Sequence, residues 1–250
     1  MIRARGVFSF LAAVMGSALL MSCAAENFRP DYDPLEPMNR KIFWFNDKVD
    51  TYVLEPVATG WDWVMPHVVQ RSISNFFTNL RFPINTINDL LQGKLKHSAV
   101  DVGRFAVNTT VGVLGFFDPA TGWGLEAHQE DFGQTLGVWG VPPGAYLVLP
   151  IVGPSNPRDA VGLAGDYAMS ITPFFVNQFI LLGTRVVDVI NTRSLLLQPV
   201  RDAKAASLDY YTFVRNAYFQ RRKALISDAN EGFKPSNEED IYHVEEELVE

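Results

Sequence analysis

Residues 33–56, DPLEPMNRKIFWFNDKVDTYVLEP, carry one apolar stripe: Met38, Ile42, Phe45, Val49 and Tyr52 recur at alternating spacings of four and three. That is the period of an amphipathic helix, and it predicts one running from Asp33-Pro34 toward Pro56. Arg40, Asp47 and Thr51 lie opposite the stripe, while Phe43 and Trp44 project outside it. A helix packed on a soluble core normally carries polar residues on that flank. The two aromatics therefore point to contact with lipid or another protein, or to a second layer of the same core.

The same texture returns downstream. Thr172-Pro173 opens a second predicted helix, with threonine as N-cap and proline in the first turn. On its wheel Asn177, Gln178, Thr184, Arg185 and Asp188 gather into a narrow polar strip. Phe175, Val176, Phe179, Ile180, Leu182, Val186, Val187 and Val189 cover most of the remaining circumference. From Phe174 to Ile190 such a helix spans about 25 Å, short for a membrane crossing, and Arg185 and Asp188 make crossing costly. A wide apolar face with a thin polar strip fits a helix lying in a membrane interface or lining a half-wet cavity, and equally a buried core helix. A last helix is predicted over Pro199–Ile226, with Tyr211, Val214, Tyr218 and Leu225 as its seam.

Between these helices the composition changes. Val111–Pro157 holds nine glycines and six prolines, which argues against any long helix there and leaves room for short extended pieces such as Ala145–Leu149. The expected fold is mainly α: a single domain over residues 34–227, built of amphipathic helices in the membrane interface around a Gly/Pro-rich irregular middle.

The two ends read differently. Arg3 and Arg5 precede an apolar run from Val7 to Met21, the length of a signal-peptide core and shorter than the roughly 20 residues of a spanning helix. It ends in Leu20-Met21-Ser22-Cys23, which resembles a bacterial lipobox, and Cys23 is the chain's one cysteine. Residues 1–22 are accordingly expected to be a lipoprotein signal peptide, Cys23 the lipidation site, and 23–33 a linker. Ala24 and Ala25 lack the aspartate that in such lipoproteins signals inner-membrane retention, which by resemblance points to the outer membrane. From Asp228 to Glu250 nine acidic residues face one lysine, reading as a solvated, disordered tail, while residues 23–227 are nearly neutral. A neutral body offers no electrostatic basis for nucleic-acid binding.

Catalytic patterns are absent. His67, His97, His128 and His243 stand alone, in no zinc-binding spacing, so neither metal nor cofactor is expected. Gly153-Pro154-Ser155-Asn156-Pro157 is the nearest approach to a nucleophile elbow. It lacks the second glycine, and nothing positions Asp131 or His128 beside it.

Asp33-Pro34-Leu35-Glu36-Pro37-Met38-Asn39-Arg40, continuing to Asp47, resembles the opening signature of the MlaA (VacJ) lipoprotein family. The likeness continues through Asn75-Phe76, Asn79-Leu80, Leu90-Leu91-Gln92-Gly93-Lys94, Arg104-Phe105, Asn108-Thr109 and Asp118-Pro119-Ala120. It then takes in Asp131-Phe132-Gly133-Gln134-Thr135-Leu136-Gly137, Gly153-Pro154-Ser155, Arg158-Asp159 and Tyr218-Phe219-Gln220-Arg221. The resemblance implies a non-enzymatic outer-membrane protein: a ring of helices in the inner leaflet around an amphipathic channel, associated with a trimeric porin. Such a protein removes misplaced phospholipids from the outer leaflet and passes them to a periplasmic carrier. The alternatives are a porin-associated structural lipoprotein and a lipid hydrolase built around Ser155. Within the channel reading, the polar strip Asn177, Gln178, Thr184, Arg185 and Asp188 is the expected headgroup path. Gly133, Gly137, Gly140, Gly144 and Gly153 are the expected hinge or gating loop, since small residues permit backbone motion.

Overall fold

The computed structural model describes residues 33–170, 172 and 176–228, so the segment expected to be a signal peptide, Cys23 and the expected acidic tail beyond Asp228 lie outside it. Its first helix does not stop near Pro56. Helix α1 (Glu36–Val49) passes through a π-turn (Asp50–Leu54) into α2 (Glu55–Val64). Pro56 has no N–H to donate four residues back. The turn absorbs that loss by widening: the N–H of Glu55 reaches the carbonyl of Asp50. The same bulge aims Asp50 inward, where Arg193 grips its carboxylate at 2.7 and 3.1 Å and Lys204 adds 3.2 Å.

Helices α3 (His67–Leu80), α4 (Phe82–Gln92) and α5 (Leu95–Thr110) follow in close succession. Pro83 sits in the first turn of α4 and Gly93 caps its end at φ 78°, a conformation glycine adopts without a Cβ penalty. After the short turn α6 (Pro119–Gly122) comes α7 (Phe132–Val138), then the hairpin strands β1 (Leu147–Leu149) and β2 (Gly153–Ser155). These pair antiparallel, Val148 opposite Pro154. Then follow α8 (Pro157–Met169), α9 (Gln178–Leu195), α10 (Leu197–Ala206) and α11 (Tyr210–Ile226). The fold is thus mainly helical, as expected, with its irregularity in the Gly/Pro-rich middle.

Three boundaries differ from the sequence expectation. The helix predicted from Thr172 starts at Gln178, because the Asn177 side chain accepts the N–H of Phe179 and caps it; Pro173 to Phe175 lie outside the described residues. The predicted last helix breaks in two at Ser207, where Asp209 opens α11 by accepting the N–H groups of Tyr211 and Thr212. Gly133 and Gly137 are helical, in α7.

The two-stranded hairpin survives because α1 acts as its third partner. Asn39 donates to the carbonyl of Tyr146 (2.9 Å) and accepts from the N–H of Val148 (3.0 Å). Seven residues on, Asn46 donates to Leu149 (2.9 Å) and accepts from Ile151 (2.8 Å). Two helical turns rise about 10 Å, as do three residues of strand, so the amides keep register with the strand. Tyr146 and Val148 then pack with Tyr211, Ile42, Phe43, Tyr218 and Phe219.

Candidate functional site

The interior of this molecule is polar. Among the described residues, twenty-one buried side chains are polar or charged and seven are apolar, the reverse of a soluble core. Outside, large hydrophobics face away from the protein: Trp44 on α1, Trp63 on α2, Val68 on α3, Trp139 after α7, and Phe179, Ile180 and Leu182 on α9. The first helix shows the inversion at single-residue scale. Met38, Phe45 and Tyr52 of its predicted seam are exposed, whereas Asn39 is buried and Asn46 and Asp50 turn inward. Of the two flanking aromatics, Trp44 points outward, while Phe43 packs 5.5 Å from Tyr211.

Burial of so many polar groups demands that they satisfy one another, and they do so in networks. Gln70 is held by Asp62 and by the carbonyl of Met65. Asn191 donates to the Gln70 carbonyl and to Ser74, and accepts from the Trp61 indole, joining α2, α3 and α9. Arg104, Asn108 and Thr121 converge on Asp118. Burial pushes the Asp118 carboxyl up, but the Thr121, Arg104 and Asn108 hydrogen bonds outweigh it and hold the group below its ordinary range. Arg222 binds both Asp131 and Asp159, and α7 crosses α8 so closely that a Cβ on Gly162 would lie 2.5 Å from the Gly133 nitrogen.

At Asp166 burial wins instead. Burial pushes it up to about 6, with the Phe132 N–H opposing and the Asp131 charge adding to the rise. A carboxyl with a raised native pKa weakens folding as pH climbs from about 4 to 6, and above that the cost is complete. Asp166→Asn keeps an acceptor for Phe132. It should stabilise the protein by about 1–2 kcal/mol at pH 7, with no gain at pH 3.5, in denaturant titrations at the two pH values.

A cavity of about 190 Å³ opens between α3 and α9, lined by Ser74, Phe77, Thr78, Arg81, Gln129, Asp188 and Thr192. Thr78 also lines a smaller polar pocket with Asn85, Asp101, Arg104 and His128. At the cavity wall the Arg81 Nε is buried and meets no hydrogen-bond acceptor. The predicted polar strip divides here. Asp188 borders the cavity and Thr184, one turn before it, is half-buried, whereas Gln178 and Arg185 are exposed and Asn177 is the helix cap. Beyond Ile190 the strip continues as the buried Asn191 and the exposed Thr192 at the cavity rim, which sequence reading missed because the helix runs five residues past Ile190.

The glycines divide as well. Gly133 and Gly137 are held in contact with Asp159, Arg222, Arg158 and Ile226, while Gly140, Gly144 and Gly153 occupy positive-φ turns around the hairpin. Of the hydrolase candidates, the Ser155 hydroxyl donates to the Asn156 carbonyl, Asp131 pairs with Arg222, and His128 with Asp89. No hydrogen bond among the described residues joins the three. His97 and His128 do not stand alone: their rings lie 4.9 Å apart, brought together by α5 and the segment before α7.

The described chain is thus helical, polar inside and rich in large hydrophobics outside, and among the described residues no helix is long and apolar enough to cross a membrane. The chain belongs to the MlaA lipoprotein family, whose model matches residues 31–225. A Haemophilus influenzae relative, the intermembrane phospholipid transport system lipoprotein MlaA, is 34% identical over 230 residues, 88% of this chain and 91% of its own. A Rickettsia conorii protein is 36% identical over 196 residues, 78% of each chain. A solved structure from work on the structural basis for maintenance of bacterial outer membrane lipid asymmetry superposes with a TM-score of 0.70. It is 36% identical, covering 78% of this chain and 99% of that one.

Proposed function

We propose that this protein removes misplaced phospholipids from the outer leaflet of a bacterial outer membrane, passing the headgroup through the polar cavity between α3 and α9. The carrying observation is the reversed polarity, with Arg81 poised at the cavity wall. Dragging a two-chain lipid through water would expose about 30 methylenes, on the order of 25 kcal/mol at 0.8 each. The tails must therefore stay against lipid or apolar side chains, and the headgroup needs a wet path, because burying unpaired charge is costly. An apolar outside around a polar hollow meets both demands. The names of the relatives, given for intermembrane phospholipid transport, point the same way.

In this reading lipid on Cys23 anchors the chain on the periplasmic side and the helices lie as a ring in the inner leaflet. A trimeric porin holds them there, and a periplasmic carrier receives the cargo without any catalysis by this chain. Asp188 and Thr184 form the working part of the polar strip, and the turns at Gly140, Gly144 and Gly153 form the gate. A disulfide tying the β1–β2 hairpin to α1 should then block transport under oxidising conditions and restore it on reduction. Equal transport in both states removes the gate.

The test of the cavity is surface-exposed phospholipid in cells lacking the protein, complemented with the native chain or with Arg81→Gln. Loss of one charge-assisted contact to phosphate, about 1.5–3 kcal/mol, should slow clearance roughly 10- to 100-fold at unchanged protein level. Full clearance by Arg81→Gln would take the headgroup path elsewhere. An unchanged surface in the null strain would favour a structural, porin-bound role. A rise in lysophospholipid on restoring the protein would favour a hydrolase.

A further inference from the structure

His128 stands between two buried carboxylates: its Nε2 lies 2.9 Å from Asp89 Oδ2 and its Nδ1 3.5 Å from Asp101 Oδ1. The Asp89 side chain is fully buried and that of Asp101 is 6% exposed. Each also carries a second oxygen, Asp89 Oδ1 and Asp101 Oδ2, that is buried and accepts no hydrogen bond. Orphaned carboxylate oxygens in an interior are costly and call for a missing cation or donor. The nearby basic groups are committed elsewhere: Arg104 to Asp118, and Lys94 to Glu130 and Asp228. Beside the pair sits a second imidazole, His97, four residues before Asp101 and therefore on the same face of α5. One ligand atom from each of Asp89, His97 and His128 falls within 4.8 Å of the others. Ligands around tetrahedral zinc, at about 2.0–2.1 Å from the ion, stand roughly 3.3 Å apart, so side-chain adjustments alone would close the set.

We propose that Asp89, His97 and His128 form a binding site for one divalent transition-metal ion of the zinc type, with Asp101 holding the other ring nitrogen of His128 in place. Two imidazoles with a carboxylate select such an ion over calcium or magnesium, which take all-oxygen shells. Three protein ligands leave the fourth position of a tetrahedral shell to water. The ion would clamp α4, α5 and the segment leading to α7, which no disulfide cross-links. Sequence spacing conceals it, because the ligands come from three segments.

The test uses the full-length protein, purified in detergent and stripped with a chelator, titrated with zinc against a chromophoric competitor. One zinc per chain is expected, with a raised melting temperature that chelation reverses, and X-ray absorption at the zinc edge should show two imidazoles. His128→Ala and the isosteric Asp89→Asn should each weaken binding about 100-fold or more, while His67→Ala, on an exposed helix start, should leave it unchanged. Circular dichroism checks that the variants are folded, and Asp89→Asn keeps the volume if the alanine variant is not. Zinc uptake well below one per chain overturns the site, as does equal affinity in Asp89→Asn and the native protein.

Discussion

Asn39→Ala should cost about 3–5 kcal/mol of folding free energy, more than any other single truncation on α1. One amide satisfies the Tyr146 carbonyl and the Val148 N–H, both in residues at most 2% exposed, and water cannot replace it. Each buried group left unpaired costs about 1–3 kcal/mol, and the amide's bond to Asp33 goes as well. Against a total stability of about 5–15 kcal/mol that is a large fraction. Asn46→Ala is the control, since its partner Ile151 lies at the exposed hairpin tip and water can take over; about 1 kcal/mol is expected there. The two should be compared by denaturant unfolding and by proteolysis of the hairpin. Equal, small losses would mean that α1 does not act as the hairpin's third partner.

Asn39 also marks what could be read from the sequence and what could not. The period of Met38, Ile42, Phe45, Val49 and Tyr52 gave the helix correctly. Periodicity, however, locates an apolar stripe without saying whether protein or lipid faces it. In a soluble protein the whole stripe points inward; here Met38, Phe45 and Tyr52 are exposed, Tyr52 at 72%, and Asn39, Asn46 and Asp50 turn inward beside Ile42. The exit at Pro56 was misread for a related reason. Proline ends a helix when its lost hydrogen bond has no remedy, and a π-turn is a remedy that propensity does not register. The break at Ser207 was missed because Asp209 scores as an ordinary helix-surface residue until its cap is seen. The glycine-rich middle was legible as irregular. Which glycines turn and which pack was not, since Gly133 looks like Gly140 until Gly162 arrives from α8. Of the candidate site, the polar strip was visible as composition, and only the packing of α9 on α3 selects Asp188 for the cavity. Arg81 and the His97–His128 pair had no local signal, because their partners lie on other segments.

The outer face of α9 permits the sharpest test of which solvent this fold is made for. Phe179, Leu182, Val186 and Val189 recur at helical spacing, and all are exposed, Phe179 at 85%. In water, Phe179→Asp with Leu182→Asp removes exposed apolar surface and should leave folding within about 1 kcal/mol of the native chain. In hydrocarbon each carboxylate costs about 2.5–3.5 kcal/mol at depth and less near the headgroups. Even half the combined penalty lowers partitioning roughly 100-fold. The measurement is vesicle co-sedimentation with Cys23→Ser as the background, so that the acyl chains cannot hold the protein in place. A drop of that size, with unfolding curves in detergent-free buffer unchanged, assigns the face to lipid. Undiminished vesicle binding would mean that a protein surface covers α9, and the apolar exterior would then belong to an assembly with the membrane elsewhere.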